Sequence, residues 1–287
     1  MTASTVTELL SSLEDWRPWL QVRVGAPGTG EWATPGRLIE SDGALIGELI
    51  DSAHAADPRR SPQLVARGVF SEIVMCLLAP QVLTLSRQRR LPILEGGAVM
   101  LRIGASEPAE VAWITDRVWA LETDQLAGEP DVTAVDSVDR LYEVLVAWAV
   151  ATLEPILESI KSRVRVGRVG MWGVVVDHFI QIGPQYEEAR QDDSILELAR
   201  FVEAATGTRL GQRIPVLEIP HPDGDRLQVG RASCCLYYQE PADPGEETPA
   251  WLEGQWARYC TTCPLLPAEE TVRRLVRPID QHEKESV

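Results

Sequence analysis

Long apolar stretches are missing from this 287-residue chain. The longest run suited to lipid, Leu145 to Leu153, is about half of the roughly 20 residues that a membrane-spanning helix needs, so no membrane insertion is expected. The start, Met1-Thr-Ala-Ser-Thr-Val-Thr7, has neither the basic stretch nor the apolar segment of a secretory leader, and the expected compartment is the cytoplasm. Positive charge is scarce as well. Lys and Arg number 27 against 43 Asp and Glu, a net charge of −16. Nucleic acid is thereby excluded as a main partner, because phosphate binding needs a basic surface. Nucleotide machinery is also absent. The glycine-rich Gly25-Ala-Pro-Gly28-Thr-Gly30 is not followed by Lys-Ser/Thr and reads as a turn. No flavin or dinucleotide fingerprint, ATP motif or internal repeat occurs.

What remains is the composition of an ordinary globular protein, 45% hydrophobic and 24% charged. The length supports one core or two closely packed lobes. The expected division is an N-terminal helical region at 1–90, a body at 91–266 and a C-terminal helix and tail at 267–287. Helices are expected over 5–20, from Ser41 towards Ala56, from Pro62 to Leu78 with a stop before Pro80, from Ser137 onward with Pro155 as a kink or a new start, and over 164–182. Ser194 to Glu197 has capping-box spacing, with Gly207 closing the helix that follows. The runs Ala98–Ile103 and Glu110–Ile114 read as a hairpin, and Arg226 onward reads as a strand leading to Cys234. Together these predict an α+β fold, with helical layers around a small, mainly antiparallel sheet.

Cysteine is rare but concentrated. Four of the five lie at Cys234-Cys235 and Cys260-Thr-Thr-Cys263, separated by 24 residues. Three chemistries fit such a set. Four thiolates complete a [2Fe–2S] cluster, two on each iron. They also complete a tetrahedral zinc site, although adjacent cysteines on an extended segment point to opposite faces and serve one ion poorly. Disulfides are the third option, disfavoured by strain between neighbours and by a reducing compartment. Cys76, in the apolar stretch Val69–Leu78, reads as an inert buried thiol.

Around the cysteines the chain reads Ser233-Cys234-Cys235-Leu236-Tyr237-Tyr238 and Tyr259-Cys260-Thr261-Thr262-Cys263-Pro264-Leu265. These strings resemble the C-terminal C-C…C-x-x-C motif of the FhuF-type ferric-siderophore reductases. Val169-Gly170-Met171-Trp172-Gly173 is similar to a Trp-Gly patch in a helix of that family. The spacer between the pairs is longer than is usual there, a difference that a loop absorbs at little entropic cost. The resemblance implies a [2Fe–2S] cluster ligated by Cys234, Cys235, Cys260 and Cys263, and reduction of siderophore-bound Fe(III). The competing reading is a zinc-stabilised siderophore-binding or interaction module without redox activity. A relative of siderophore-synthesis enzymes is a third, lowered by the missing ATP motif.

If a cluster is held, the backbone N–H groups of Thr261 and Thr262, and the side chains of Arg231 and Arg258, are the groups expected to tune its sulfurs or face substrate. Electrons must come from outside, from a ferredoxin or a reductase. The acidic balance favours neutral or cationic chelates of hydroxamate type over tri-anionic catecholates. His54 is given no role, and His178 reads as a hydrogen-bonded core imidazole. Lys161, Arg163, Arg165 and Arg168 read as a solvated basic patch. The acidic spacer residues Glu240, Asp243, Glu246, Glu247 and Glu253 read as a solvated loop.

Overall fold

Two helices that begin on proline set the frame of the computed structural model, which describes residues 9, 20–25, 31–95, 97–103, 109–182, 199–208, 210–211, 216–220, 226–234, 236–239 and 258–285. Helix α1 (Pro35–Ala56) is capped by Thr34, whose Oγ1 accepts the Arg37 N–H at 3.1 Å. It breaks at Glu40, and Ser41, Asp42 and Gly43 follow in left-handed conformation, with φ of 52°, 56° and 73°. The helix start expected at Ser41 is thus the break between two helical pieces. Arg163 secures it by donating from Nη2 to the Asp42 carbonyl at 3.0 Å. Bare backbone is needed there, since a Cβ on Gly43 would lie 1.9 Å from Ser159 Oγ.

Helix α2 (Pro62–Gln88) is capped by Ser61, which accepts the Leu64 N–H at 3.3 Å. The expected stop before Pro80 does not occur, and the helix runs through to a left-handed Arg89. Proline removes one backbone bond and crowds the preceding turn. Burial outweighs that cost, because nearly every residue from Leu64 to Leu85 is inside the protein. Continuation through Pro80 makes α2 long and apolar enough to cross a membrane, but 78% of its most hydropathic window is buried within the fold. It is a core helix.

Five further strands complete two three-stranded mixed sheets with β1 (Leu20–Val24). In the first, β1 runs parallel to β4 (Ala109–Trp113), which pairs antiparallel with β3 (Val99–Arg102) as the expected hairpin. Glu110, 5% exposed, fastens this sheet by ion pairs to Arg23 on β1, at 2.6 Å, and to Arg102 on β3. In the second, β5 (Val118–Leu121) lies between antiparallel β2 (Arg90–Pro92) and parallel β6 (Val132–Val135). A separate antiparallel ribbon joins β7 (Val216–Ile219) to β8 (Arg226–Val229). The fold is α+β, its strands divided between these small sheets rather than gathered in one.

Helix α3 (Val138–Arg163) continues through Pro155 and packs on α1; α4 (Arg168–Ile182) packs on α2. The four helices and both mixed sheets share one apolar core. Residues 199–205 are helical and end at Gly207, with φ of 79°. The capping box at Ser194–Glu197, the acidic residues of the spacer and all of the first expected helix except Leu9 and Leu20 lie outside the described residues, and Leu20 opens β1 instead of ending a helix. The final helix, α5 (Ala268–Glu285), extends through most of the expected tail and touches β7.

Candidate metal centre

Strand β8 delivers the chain to Gly230, and Arg231 through Ser233 then lie against α4. The anchor is Asp177, 3% exposed. Its Oδ1 accepts the Ala232 N–H at 2.6 Å, and its Oδ2 accepts the Ser233 hydroxyl at 3.1 Å. Arg231 adds an ion pair, Nε to Oδ2 at 3.7 Å. Burial pushes the Asp177 carboxyl above the usual carboxylate range, while Arg231, the Ala232 N–H, Ser233 and Arg67 pull it down. A buried carboxylate is tolerated only when it is paired and hydrogen-bonded, and this one is both.

Arg67 of α2 ties the assembly together. Its Nη1 donates to the Gly170 carbonyl at 2.8 Å, and its Nη2 donates to Ser233 Oγ at 2.9 Å. One guanidinium therefore bridges the Val169–Gly173 segment and the residue preceding Cys234. Trp172, 2% exposed, is packed into the core on the same helix.

The second cysteine segment meets the first through a backbone hydrogen bond and a pair of aromatic rings. The Arg231 N–H reaches the Thr262 carbonyl at 3.4 Å. The rings of Tyr238 and Tyr259 stack at 4.9 Å with 3° between their planes. The turn itself closes by the Cys263 N–H on the Cys260 carbonyl, at 3.0 Å. Behind it, Arg274 of α5, 1% exposed, donates to the Tyr259 carbonyl at 2.5 Å and pairs with Glu270 at 2.7 Å.

Cys234, Cys260 and Cys263 are not joined in disulfides, and Cys263 is buried. A hydrogen bond from the Cys260 thiol, helped by the Leu265 N–H, holds the Cys263 thiol below its ordinary value. Burial and the neighbouring Cys234 thiol oppose that shift. The Cys260 and Cys234 thiols are thus near enough to Cys263 to act on it, and Cys235 lies outside the described residues. Among the described residues, no group of three or more His, Cys, Asp or Glu is placed to hold a metal ion. Arg231 Nη1 stands 3.8 Å from Cys260 Sγ, and the Leu236 N–H stands 3.4 Å from Cys234 Sγ. Leu236 takes a left-handed φ of 63° in that turn, a conformation costing about 1–2 kcal/mol for an L-residue. A lowered thiol, a cation beside sulfur and backbone N–H groups at sulfur are features that a thiolate-ligated cluster uses.

The other expected residues fall as follows. Thr262 contributes its carbonyl to Arg231, while the N–H groups that reach sulfur belong to Leu236 and Leu265. Arg258 is exposed at the head of the second segment. His178 is 9% exposed and shares a 2.8 Å hydrogen bond with Ser71 Oγ. Burial pushes the Cys76 thiol far up, with Glu72 adding to the shift, leaving it inert. In the basic stretch, Lys161 pairs with Glu158, and Arg168 pairs with Glu154 and Glu158. Sequence reasoning missed Arg67, Ser233 and the anchoring role of Asp177. A charged residue inside the apolar run Val174–Phe179 is the signal that could have found Asp177.

No protein-family model and no curated protein matches this chain.

Proposed function

We propose that the chain is a ferric-siderophore reductase holding a [2Fe–2S] cluster on Cys234, Cys235, Cys260 and Cys263. The observation that supports the reading is the Arg231 guanidinium beside Cys260, with the Cys260 and Cys234 thiols acting on Cys263. A bound cluster supplies a one-electron relay: an external donor of ferredoxin or reductase type is oxidised by one electron, and chelated Fe(III) becomes Fe(II) with no bond made to the protein.

The chain's own residues prepare that site. Arg231 offers positive charge to Cys260, where thiolate and added electron density are both stabilised by a nearby cation. Leu236 donates its N–H to Cys234, which withdraws charge from sulfur. Asp177 and Arg67 fix the segment 231–233 through buried hydrogen bonds, so that the thiols need little reorganisation. Cys234 and Cys260 are partly exposed whereas Cys263 is buried, which puts the accessible edge of the site on the first two. Substrate approach in the cytoplasm is then an outer-surface encounter, and the chain's net charge of −16 disfavours polyanionic chelates at long range.

Purification without air, followed by iron, sulfide and zinc analysis with a visible spectrum, tests the reading. It predicts a red-brown protein with two irons and two sulfides per chain and a paramagnetic signal on one-electron reduction. A colourless protein carrying one zinc would instead support the binding-module reading.

A further inference from the structure

Beside the cysteines is a cavity of about 150 Å³, walled by Arg60, Arg67, Ser71, Asp177, His178 and Arg231 among others. Arg231, Arg67 and Asp177 also belong to the thiol site. Arg231 points Nη1 at Cys260 Sγ, and Arg67 holds the Ser233 hydroxyl next to Cys234. The cavity and the sulfurs therefore share a wall.

Its charge is opposite to that of the molecule. Three guanidiniums face one carboxylate in the lining, even counting Asp177 as fully ionised, whereas the whole chain carries −16. Charges spread over the surface are screened beyond about 8 Å at physiological salt, so a group inside the cavity feels mainly its walls. Arginine's planar fork suits oxyanions, which it binds by charge-assisted hydrogen bonds. The Ser71 hydroxyl and the His178 ring add polar atoms on the same wall. The volume admits a single small group and not an entire chelate.

We propose that this cavity seats one carboxylate of the ferric chelate and so orients the metal towards the cysteine site. The inference rests on the ferric-chelate reading and narrows it. The outer field disfavours highly anionic complexes, while the cavity selects for one carboxylate. The substrate class is then a hydroxamate chelate of low overall charge that carries a free carboxylate arm.

Gallium(III) complexes test this without any electron transfer. A trihydroxamate chelator with one free carboxylate and its methyl ester, each loaded with gallium, are titrated calorimetrically into the full-length protein at low salt. The acid form is expected to bind about ten-fold tighter, the equivalent of roughly 1.4 kcal/mol. That ratio is expected to fall towards one in Arg60→Gln and below one in Arg60→Glu, substitutions just outside the α2 cap. Equal affinities for acid and ester in the wild type would overturn the inference. So would a ratio that both Arg60 variants leave intact. A protein without iron or sulfide that still prefers the acid would remove the redox reading and keep the cavity; a cluster-bearing protein with no preference would do the reverse.

Discussion

Arg231 holds its guanidinium between two partners of opposite consequence, with Nη1 3.8 Å from Cys260 Sγ and Nε 3.7 Å from Asp177 Oδ2. The carboxylate fixes the cation, and the cation faces the sulfur. Replacing Arg231 with Gln removes positive charge beside the proposed cluster, which would become more negative on reduction. The midpoint potential is expected to fall by about 50 mV, equivalent to roughly 1 kcal/mol for one electron. Arg258→Gln, at an exposed position, is expected to move it much less. An unchanged potential in Arg231→Gln, measured by anaerobic redox titration, would remove Arg231 from any tuning role.

The stacked rings of Tyr238 and Tyr259 fasten one cysteine segment to the other across the long spacer. Such a pair contributes about 0.5–1.5 kcal/mol beyond the area it buries. Tyr259→Ala should therefore shorten the half-life of iron in the presence of a chelator several-fold, while Tyr259→Phe, which keeps the ring, should not. Equal loss rates in both variants would contradict this role.

Hydrogen bonds from Arg273 and Arg274 hold the Glu270 carboxyl down at about 2, from an ordinary 4.5. A folded value below the unfolded one means that the stabilisation is complete above about pH 4.5 and is lost as pH falls towards 2. Because Arg274 also supports the Tyr259 carbonyl, amide-exchange protection in α5 and at Tyr259 is expected to decline over that window. Glu270→Gln should lower protection at neutral pH and flatten the decline. Identical pH profiles for variant and wild type would exclude the mechanism.

Gly43 pairs a left-handed φ of 73° with the close approach of Ser159. Gly43→Ala is expected to destabilise the protein by about 1–3 kcal/mol through backbone strain and overpacking. Gly68 in α2, where an added Cβ would meet nothing within 4 Å, is the control, and Gly68→Ala should be neutral or stabilising by up to about 1 kcal/mol. Equal melting midpoints for the two variants would contradict the account of the α1–α3 contact.

Local chemistry made much of the fold legible. Ser61-Pro62 and Ser137 announced helix starts, and the alternating runs around residues 104–108 announced the β3–β4 hairpin. Pro80 misled because its local cost is overridden by burial of the whole α2 segment. The two mixed sheets were not legible, since the parallel pairings of β1 with β4 and β5 with β6 bring together strands with other segments between them. In the site, the cysteines announced themselves by spacing, and Arg231 by its nearness to Cys234. Arg67 did not, because it lies 166 positions from the Ser233 hydroxyl it holds and only packing of α2 on α4 brings them together.

The most direct measurement is iron content and ferric-chelate turnover in Cys234→Ser and Cys263→Ser, with Cys76→Ser as the control for a buried thiol outside the site. The account predicts that each of the first two loses the cluster absorbance and at least nine-tenths of turnover (about ten-fold or more for an altered ligand), while Cys76→Ser keeps its iron. Full iron content and undiminished turnover in Cys234→Ser and Cys263→Ser would contradict it.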